Sequence, residues 1–93
     1  MNKTILDQAN MRGALLGVAS LTDASLIETD LTGAQLPFAN LANARFAGAA
    51  LGGADLIGAN LAGTVFENSQ CDANTRFPTA FTFTCEGGAI VRK

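Results

Sequence analysis

The side chains able to do chemistry in this chain are few, and the first to weigh are two cysteines, Cys71 and Cys85. A pair of thiols offers a disulfide, part of a metal site, or a reactive thiolate. Zinc wants four N or S ligands, and the 93 residues include no His and no third Cys. No metal and no cofactor is therefore expected. Without a His or a cluster of cations, nothing is available to hold Cys71 as a thiolate. Two readings stay open: Cys71 as a small buried hydrophobe, or a bridge to Cys85. The bridge would close a loop of about fifteen residues, contribute roughly 3 kcal/mol in the chain-entropy account, and require an oxidising compartment.

Carboxylates are the other reactive groups. General acid–base catalysis needs paired carboxylates or a His held in a cleft, whereas Asp23, Asp30 and Asp55 stand singly and read as solvated surface or turn residues. No catalytic residue is expected, and the chain reads as non-enzymatic. Eight acids against six bases give a net charge of −2, with no clustered basic surface. A nucleic-acid binder of the phosphate-neutralising kind is thereby excluded. Apolar residues make up 48% of the chain, too many for disorder, but no apolar run is long enough to span a membrane. The opening Met-Asn-Lys-Thr-Ile-Leu-Asp lacks the apolar stretch of about 7–15 residues that marks a secretory leader. A cytoplasmic location is expected if the chain is complete, a lumenal or periplasmic one if a leader has been removed.

With catalysis set aside, the organisation of the chain rests on a period of five. Leu6, Met11, Leu16, Leu21, Leu26, Leu31, Leu36, Leu41, Phe46, Leu51, Leu56, Leu61, Phe66 and Cys71 are fourteen consecutive apolar centres. Two residues before each stands Ala, Ser or Thr, from Thr4 to Ser69, and two residues after it Gly occurs six times. Five is a poor period for a helix, because each step rotates the apolar position by roughly 140°. A straight strand fails too, since five is odd and each repeat would change face. The pattern is satisfied by a short extended piece followed by a turn. The small residue and the centre then point inward, the residue between them points outward, and Gly supplies a positive φ at the corner. Four corners close a square, so twenty residues complete a coil and fourteen repeats give about three and a half coils, roughly 17 Å tall at the usual strand spacing. No coil buries its own interior; stacking supplies the core.

The string Ala54-Asp55-Leu56-Ile57-Gly58-Ala59-Asn60-Leu61-Ala62-Gly63 resembles the A-(D/N)-L-x-x signature of the pentapeptide-repeat family, and the match runs over residues 4–73. The tail from Cys71 to Phe81, with Thr-Arg-Phe-Pro-Thr-Ala-Phe, is similar to the ending of cyanobacterial members. The resemblance implies an all-β fold, a right-handed quadrilateral β-helix, and no reaction. Asp or Asn precedes the centre only at Asn10, Asp30, Asn40, Asp55 and Asn60. The repeat fades after Cys71, where Arg76 falls on the next centre. One domain over 1–93 is expected, with repeats over 4–73 and a C-terminal cap over 74–93.

Stacking every twentieth residue sorts the interior into four columns. Face one holds Leu6, Leu26, Phe46 and Phe66; face two Met11, Leu31, Leu51 and Cys71; face three Leu16, Leu36 and Leu56; face four Leu21, Leu41 and Leu61. Phe81 is placed to close the fourth column and Phe77 to plug the third. Outward positions are mostly polar, except on face three, where Leu15, Val18, Phe38 and Ile57 lie with Pro37. An apolar patch of this kind marks a candidate protein-contact surface. Only three residues precede the first repeat, so Leu6, Met11, Leu16 and Leu21 are expected to face water beside an open strand edge. A homodimer through that coil or through the apolar face is the corresponding expectation.

Two functions from different classes follow. The favoured one is a structural or protein-interaction module presenting flat solenoid faces to a protein partner. The alternative is a DNA mimic acting on gyrase, as some members of the family do, but no face here carries more than three acids.

Overall fold

The computed structural model describes residues 3–79 and 83–92. Its architecture is a β-helix type of solenoid built from five-residue units, with no helix among the described residues. Rungs are joined by isolated parallel bridges between residues twenty apart, from Ile5 with Ser25 to Ala50 with Gln70. Four units therefore complete a coil before the chain stacks on itself.

Backbone chemistry makes the unit repeat. The centre N–H donates to the carbonyl nineteen residues on, as from Leu26 to Arg45 at 2.7 Å, and the corner N–H does the same, as from Glu28 to Ala47 at 2.9 Å. The small residue closes the turn by donating to the preceding centre, as from Ala44 to Leu41 at 2.9 Å. Every corner from Lys3 to Asn68 adopts a positive φ, including eight that are not Gly. Left-handed conformations are strained for residues with a Cβ, so six glycines at fourteen corners are economical there.

The Asp and Asn before the centres perform a local task. Each of Asn10, Asp30, Asn40, Asp55 and Asn60 accepts, through its side-chain oxygen, the N–H of the residue two places on. That donor begins the turn and has no partner in the ladder, so an Asx oxygen satisfies a group that would otherwise rely on water. Where the position holds Ile, Leu or Val, this bond is absent.

The interior is as the columns require. Leu26, Leu31, Leu36, Leu41, Phe46, Leu51, Leu56 and Leu61 are fully buried, and the Ala or, before Leu31, Thr29 two residues ahead of each is buried as well. Phe46 and Phe66 stack with ring centroids 5.0 Å apart. At the N-terminal coil Leu6, Met11 and Leu16 are half-buried, whereas Leu21, expected to face water, is fully buried. The Lys3 N–H donates to the Thr22 carbonyl, so the ladder continues beneath this rung at Lys3.

The five-residue register slips by one after Cys71. Asp72 takes over a ladder position with its side chain, accepting the Gly53 N–H at 3.0 Å and the Asn74 N–H at 2.8 Å. Thr75 Oγ1 then donates to the Leu51 carbonyl at 2.8 Å. One extra residue is absorbed, and Arg76 pairs with Asp55 across twenty-one residues. Arg76 consequently takes the outward position, and Phe77 follows as a partly buried neighbour of the core. Phe81, placed by the sequence over the fourth column, lies outside the described residues. Beyond it, strands β1 (Phe83–Glu86) and β2 (Ala89–Arg92) form an antiparallel hairpin. Phe83 meets the Phe66 ring edge-on at 5.1 Å.

Candidate functional site

Face three is assembled by three outward columns. The residues before the centre are Leu15, Gln35, Asp55 and Arg76, joined in order by bridges. The residues after the centres are Gly17, Pro37 and Ile57, and the corner column is Val18, Phe38 and Gly58. Leu15, Val18, Phe38 and Ile57 therefore share one side of the solenoid. Their exposures are 77%, 78%, 66% and 41%, whereas Leu36 and Leu56 behind them are fully buried.

Two of these residues sit in an unfavourable backbone conformation as well. Val18 has φ 54° and Phe38 φ 59°, and for a β-branched or bulky residue such a value is a true outlier. The conformation is enforced by the ladder: the Val18 N–H donates to the Pro37 carbonyl at 2.9 Å and the Phe38 N–H to that of Ile57 at 2.8 Å. Phe38 lies flat over Gly58, where an added Cβ would stand 2.5 Å from the ring. Pro37 covers Gly17 in the same manner at 3.5 Å. The two glycines leave recesses that the rings fill, which flattens the face.

The carboxylates serve the turns. Asp7 accepts from the Ser25 hydroxyl at 2.6 Å and the Ile27 N–H at 2.9 Å, and these bonds hold its carboxyl below the ordinary range. The Thr32 hydroxyl and N–H depress Asp30 in the same way, and the N–H groups of Asn74 and Gly53 depress Asp72. An Arg12–Asp30 contact at 3.8 Å is exposed on both sides and contributes little. No group of metal-ligating side chains occurs among the described residues.

The cysteines lie where the cap meets the last coil. Cys71 and Cys85 are joined as a disulfide with Cα atoms 5.9 Å apart. The Cys71 N–H also donates to the Gly88 carbonyl at 2.9 Å, and Gln70 pairs antiparallel with Ala89. The hairpin thus continues the face-two ladder while its covalent link lies next to it. Sequence reasoning placed Cys85 in the cap but missed Phe83 and Ile90, which pack against the core. The signal was present: Gly87-Gly88 between Phe83–Glu86 and Ala89–Arg92 is a two-residue hairpin turn, with both glycines at positive φ.

A ladder stepping by twenty residues, units of five and left-handed corners define a class of repeat protein, and comparison with known families agrees. The chain matches the family described as Pentapeptide repeats, in eight copies, over residues 4–37, 19–56 and 39–70. It belongs to that family, whose members are generally structural or interaction modules. Among solved structures it is similar to a pentapeptide repeat protein from Nostoc PCC 7120, at 34% identity over 85% of this chain and 74% of that one, with a TM-score of 0.45. It is also similar to a pentapeptide repeat protein of the Arabidopsis thaliana thylakoid lumen, at 22% identity over 85% of this chain and 63% of that one, with a TM-score of 0.49. HetL from Nostoc sp. strain PCC 7120, described as involved in heterocyst differentiation regulation, is 27% identical over 74% of this chain and 45% of its own length, with a TM-score of 0.36. No curated protein matched the chain.

Proposed function

We propose that this chain is a non-enzymatic protein-interaction module that presents face three to a protein partner. The proposed frame is a right-handed quadrilateral β-helix of about three and a half coils, closed by a cap that, instead of being irregular throughout, ends in the β1–β2 hairpin. One observation carries the reading. Val18 and Phe38 combine high exposure with left-handed backbone in a fold whose other corners hold Gly or polar residues. Both features oppose stability, and strain of this kind collects at binding sites. Pro37 and Gly58 complete a flat apolar surface around them.

Size sets the strength of the contact. The body measures 30 × 25 × 21 Å, and a single side falls short of the roughly 800 Å² per partner of a standard stable interface. Face three alone therefore supports a weak contact, and a tight partner reaches around a corner. The same arithmetic disfavours a homodimer held by this face only. The Cys71–Cys85 bridge supports a lumenal or periplasmic setting. No observation favours the DNA-mimic alternative, because the acids are dispersed and Asp7, Asp30 and Asp72 are engaged in turn bonds.

A photo-crosslinking residue placed at position 18, compared with one at position 60 on face four, tests the proposal in the native cell. Specific adducts from position 18 that the Phe38→Asp variant abolishes are expected. Equal adducts from both positions would refute the assignment of the face. Light scattering with and without reductant reads self-association separately, with a mass near 9.5 kDa expected for a chain whose face three is free.

A further inference from the structure

The lower rungs of face one define what its top rung lacks. There the Phe46 N–H donates upward to the Val65 carbonyl at 2.7 Å and the Gly48 N–H to that of Glu67 at 2.8 Å, while the Ala44 carbonyl accepts from the Val65 N–H at 3.1 Å. One coil higher the equivalent groups are the Phe66 N–H, the Asn68 N–H and the Thr64 carbonyl. None of the three bonds to a described residue. On two other faces described cap residues take up the top rung. The Leu56 N–H donates to the Arg76 carbonyl at 2.8 Å on face three, and the Cys71 N–H to that of Gly88 on face two.

Among the described residues, none continues the ladder above face one. Strand β1 does not continue the ladder above Val65; Phe83 instead turns inward onto Phe66. A cleft of about 360 Å³ remains between the rung and the hairpin, with Val65, Phe66 and Glu67 on one side and Phe83 and Ile90 on the other. Thr64-Val65-Phe66 is a run of strong strand formers. No Pro or Lys interrupts it, although such residues usually protect an exposed edge.

The geometry points to an extended segment of a partner protein that docks here as an added parallel strand on residues 64–68. The occupant's chemistry follows from the rung below. It donates one main-chain N–H to the Thr64 carbonyl and accepts from the Phe66 and Asn68 N–H groups. Its central side chain is apolar and enters between Phe66, Phe83 and Ile90. The next residue is basic, because it stands one strand spacing above the exposed Glu67, for which no described residue supplies an ion pair. Main-chain bonds supply affinity in such strand addition, and the side-chain positions supply selectivity.

The test uses the full oxidised chain, labelled with nitrogen-15, and a probe peptide, acetyl-Gly-Ala-Thr-Val-Lys-Gly-amide. Titration should shift the Phe66 and Asn68 amides saturably. N-methylation of the probe's Thr, which removes its N–H, or replacement of its Lys by Glu, should weaken binding roughly five- to tenfold, the value of one hydrogen bond or charge contact. No shift of these two amides at millimolar peptide, or equal binding by the N-methylated peptide, would overturn the proposal. Hydrogen exchange on the free chain gives a second check, since both amides should exchange rapidly. Protection that is independent of concentration would mean that the chain covers its own edge, and concentration-dependent protection would mean a second copy; either sinks the proposal. Phe38→Asp should leave this titration unchanged, so the face-three reading and this one fail separately.

Discussion

Reducing the Cys71–Cys85 bridge, or removing it as Cys85→Ser, should unfasten the hairpin while leaving the inner rungs intact. The bridge spans fourteen residues, and a loop of that length is worth roughly 3 kcal/mol in the chain-entropy account. What else holds the hairpin is modest: the Cys71–Gly88 hydrogen bond, the partly buried Ile90, and Phe83, which is buried against Phe66 and Phe77. Burial of one Phe contributes about 1.5–3 kcal/mol. A solenoid opens from its ends, because a terminal unit has a neighbour on one side only. The lost 3 kcal/mol therefore falls on a local opening equilibrium. At about 1.4 kcal/mol per decade, amides of β1, β2 and Cys71 should exchange about a hundredfold faster after reduction. Leu31 and Leu36, whose N–H groups donate to the next coil, should change less than about fivefold by the same locality argument. Site-resolved hydrogen exchange with and without a phosphine reductant reads both numbers. A uniform acceleration along the chain would refute the reasoning, since it would show that the bridge acts on global unfolding. Unchanged protection of the hairpin would refute it from the other side.

Other consequences are open to direct measurement. Leu36→Ala empties a fully buried centre and should cost about 2–5 kcal/mol, read as a lowered midpoint in thermal melts; a loss below about 1 kcal/mol would contradict a close-packed interior. Gly58→Ala places a Cβ against the Phe38 ring at φ +71° and should destabilise by about 1–2 kcal/mol, with Phe38→Ala in the same chain relieving the steric share. Val18→Gly removes a left-handed β-branched residue and should hold or raise the melting temperature, because relief of about 1–2 kcal/mol of strain exceeds the loss of a mostly exposed side chain. A clear fall would mean that the corner is not strained. The carboxyls of Asp7, Asp30 and Asp72 are depressed in the folded chain, so their contribution is complete above the ordinary carboxyl value and lost as pH falls through the lower folded values. Stability should be flat from neutral pH to about 5 and decline below about 4, and Asp7→Ala should flatten that acid limb.

How much was legible in the sequence depended on whether a feature belonged to the period. Leu36 or Phe46 could be placed inside from spacing alone, because every unit repeats the same main-chain bonds and the column position follows from counting by twenty. Likewise Leu15, Val18, Phe38 and Ile57 could be assigned to one side before any coordinates. Counting fails where a side chain substitutes for backbone. Asp72 accepts the Gly53 and Asn74 N–H groups, which inserts one residue and moves Arg76 outward; no periodic signal announces such a replacement. The cap was expected from the fading of the repeat after Cys71, but its hairpin was not, because β1 and β2 are four residues each and follow a different period. The burial of Leu21 was missed because Lys3, which continues the ladder beneath it, precedes the first unit of the period. Phase, in short, predicts everything that repeats and nothing that ends the repeat.

That distinction also explains why the two proposed contact surfaces have different origins. Face three is written into the repeat: the ladder imposes a left-handed corner on every unit, and the sequence fills two adjacent corners with Val18 and Phe38 where Gly would relieve both strain and exposure. The interior neither requires nor rewards that choice, because Leu16 and Leu36 lie behind the face whatever the corner holds. The open edge of residues 64–68 arises where the repeat stops, through the departure of β1 and the inward turn of Phe83. Substitution of side chains on face three leaves the main-chain donors of Phe66 and Asn68 in place, and a change in the cap leaves Val18 and Phe38 in place. The two proposed surfaces can therefore vary independently, so a substitution that abolishes one proposed contact should leave the other unchanged.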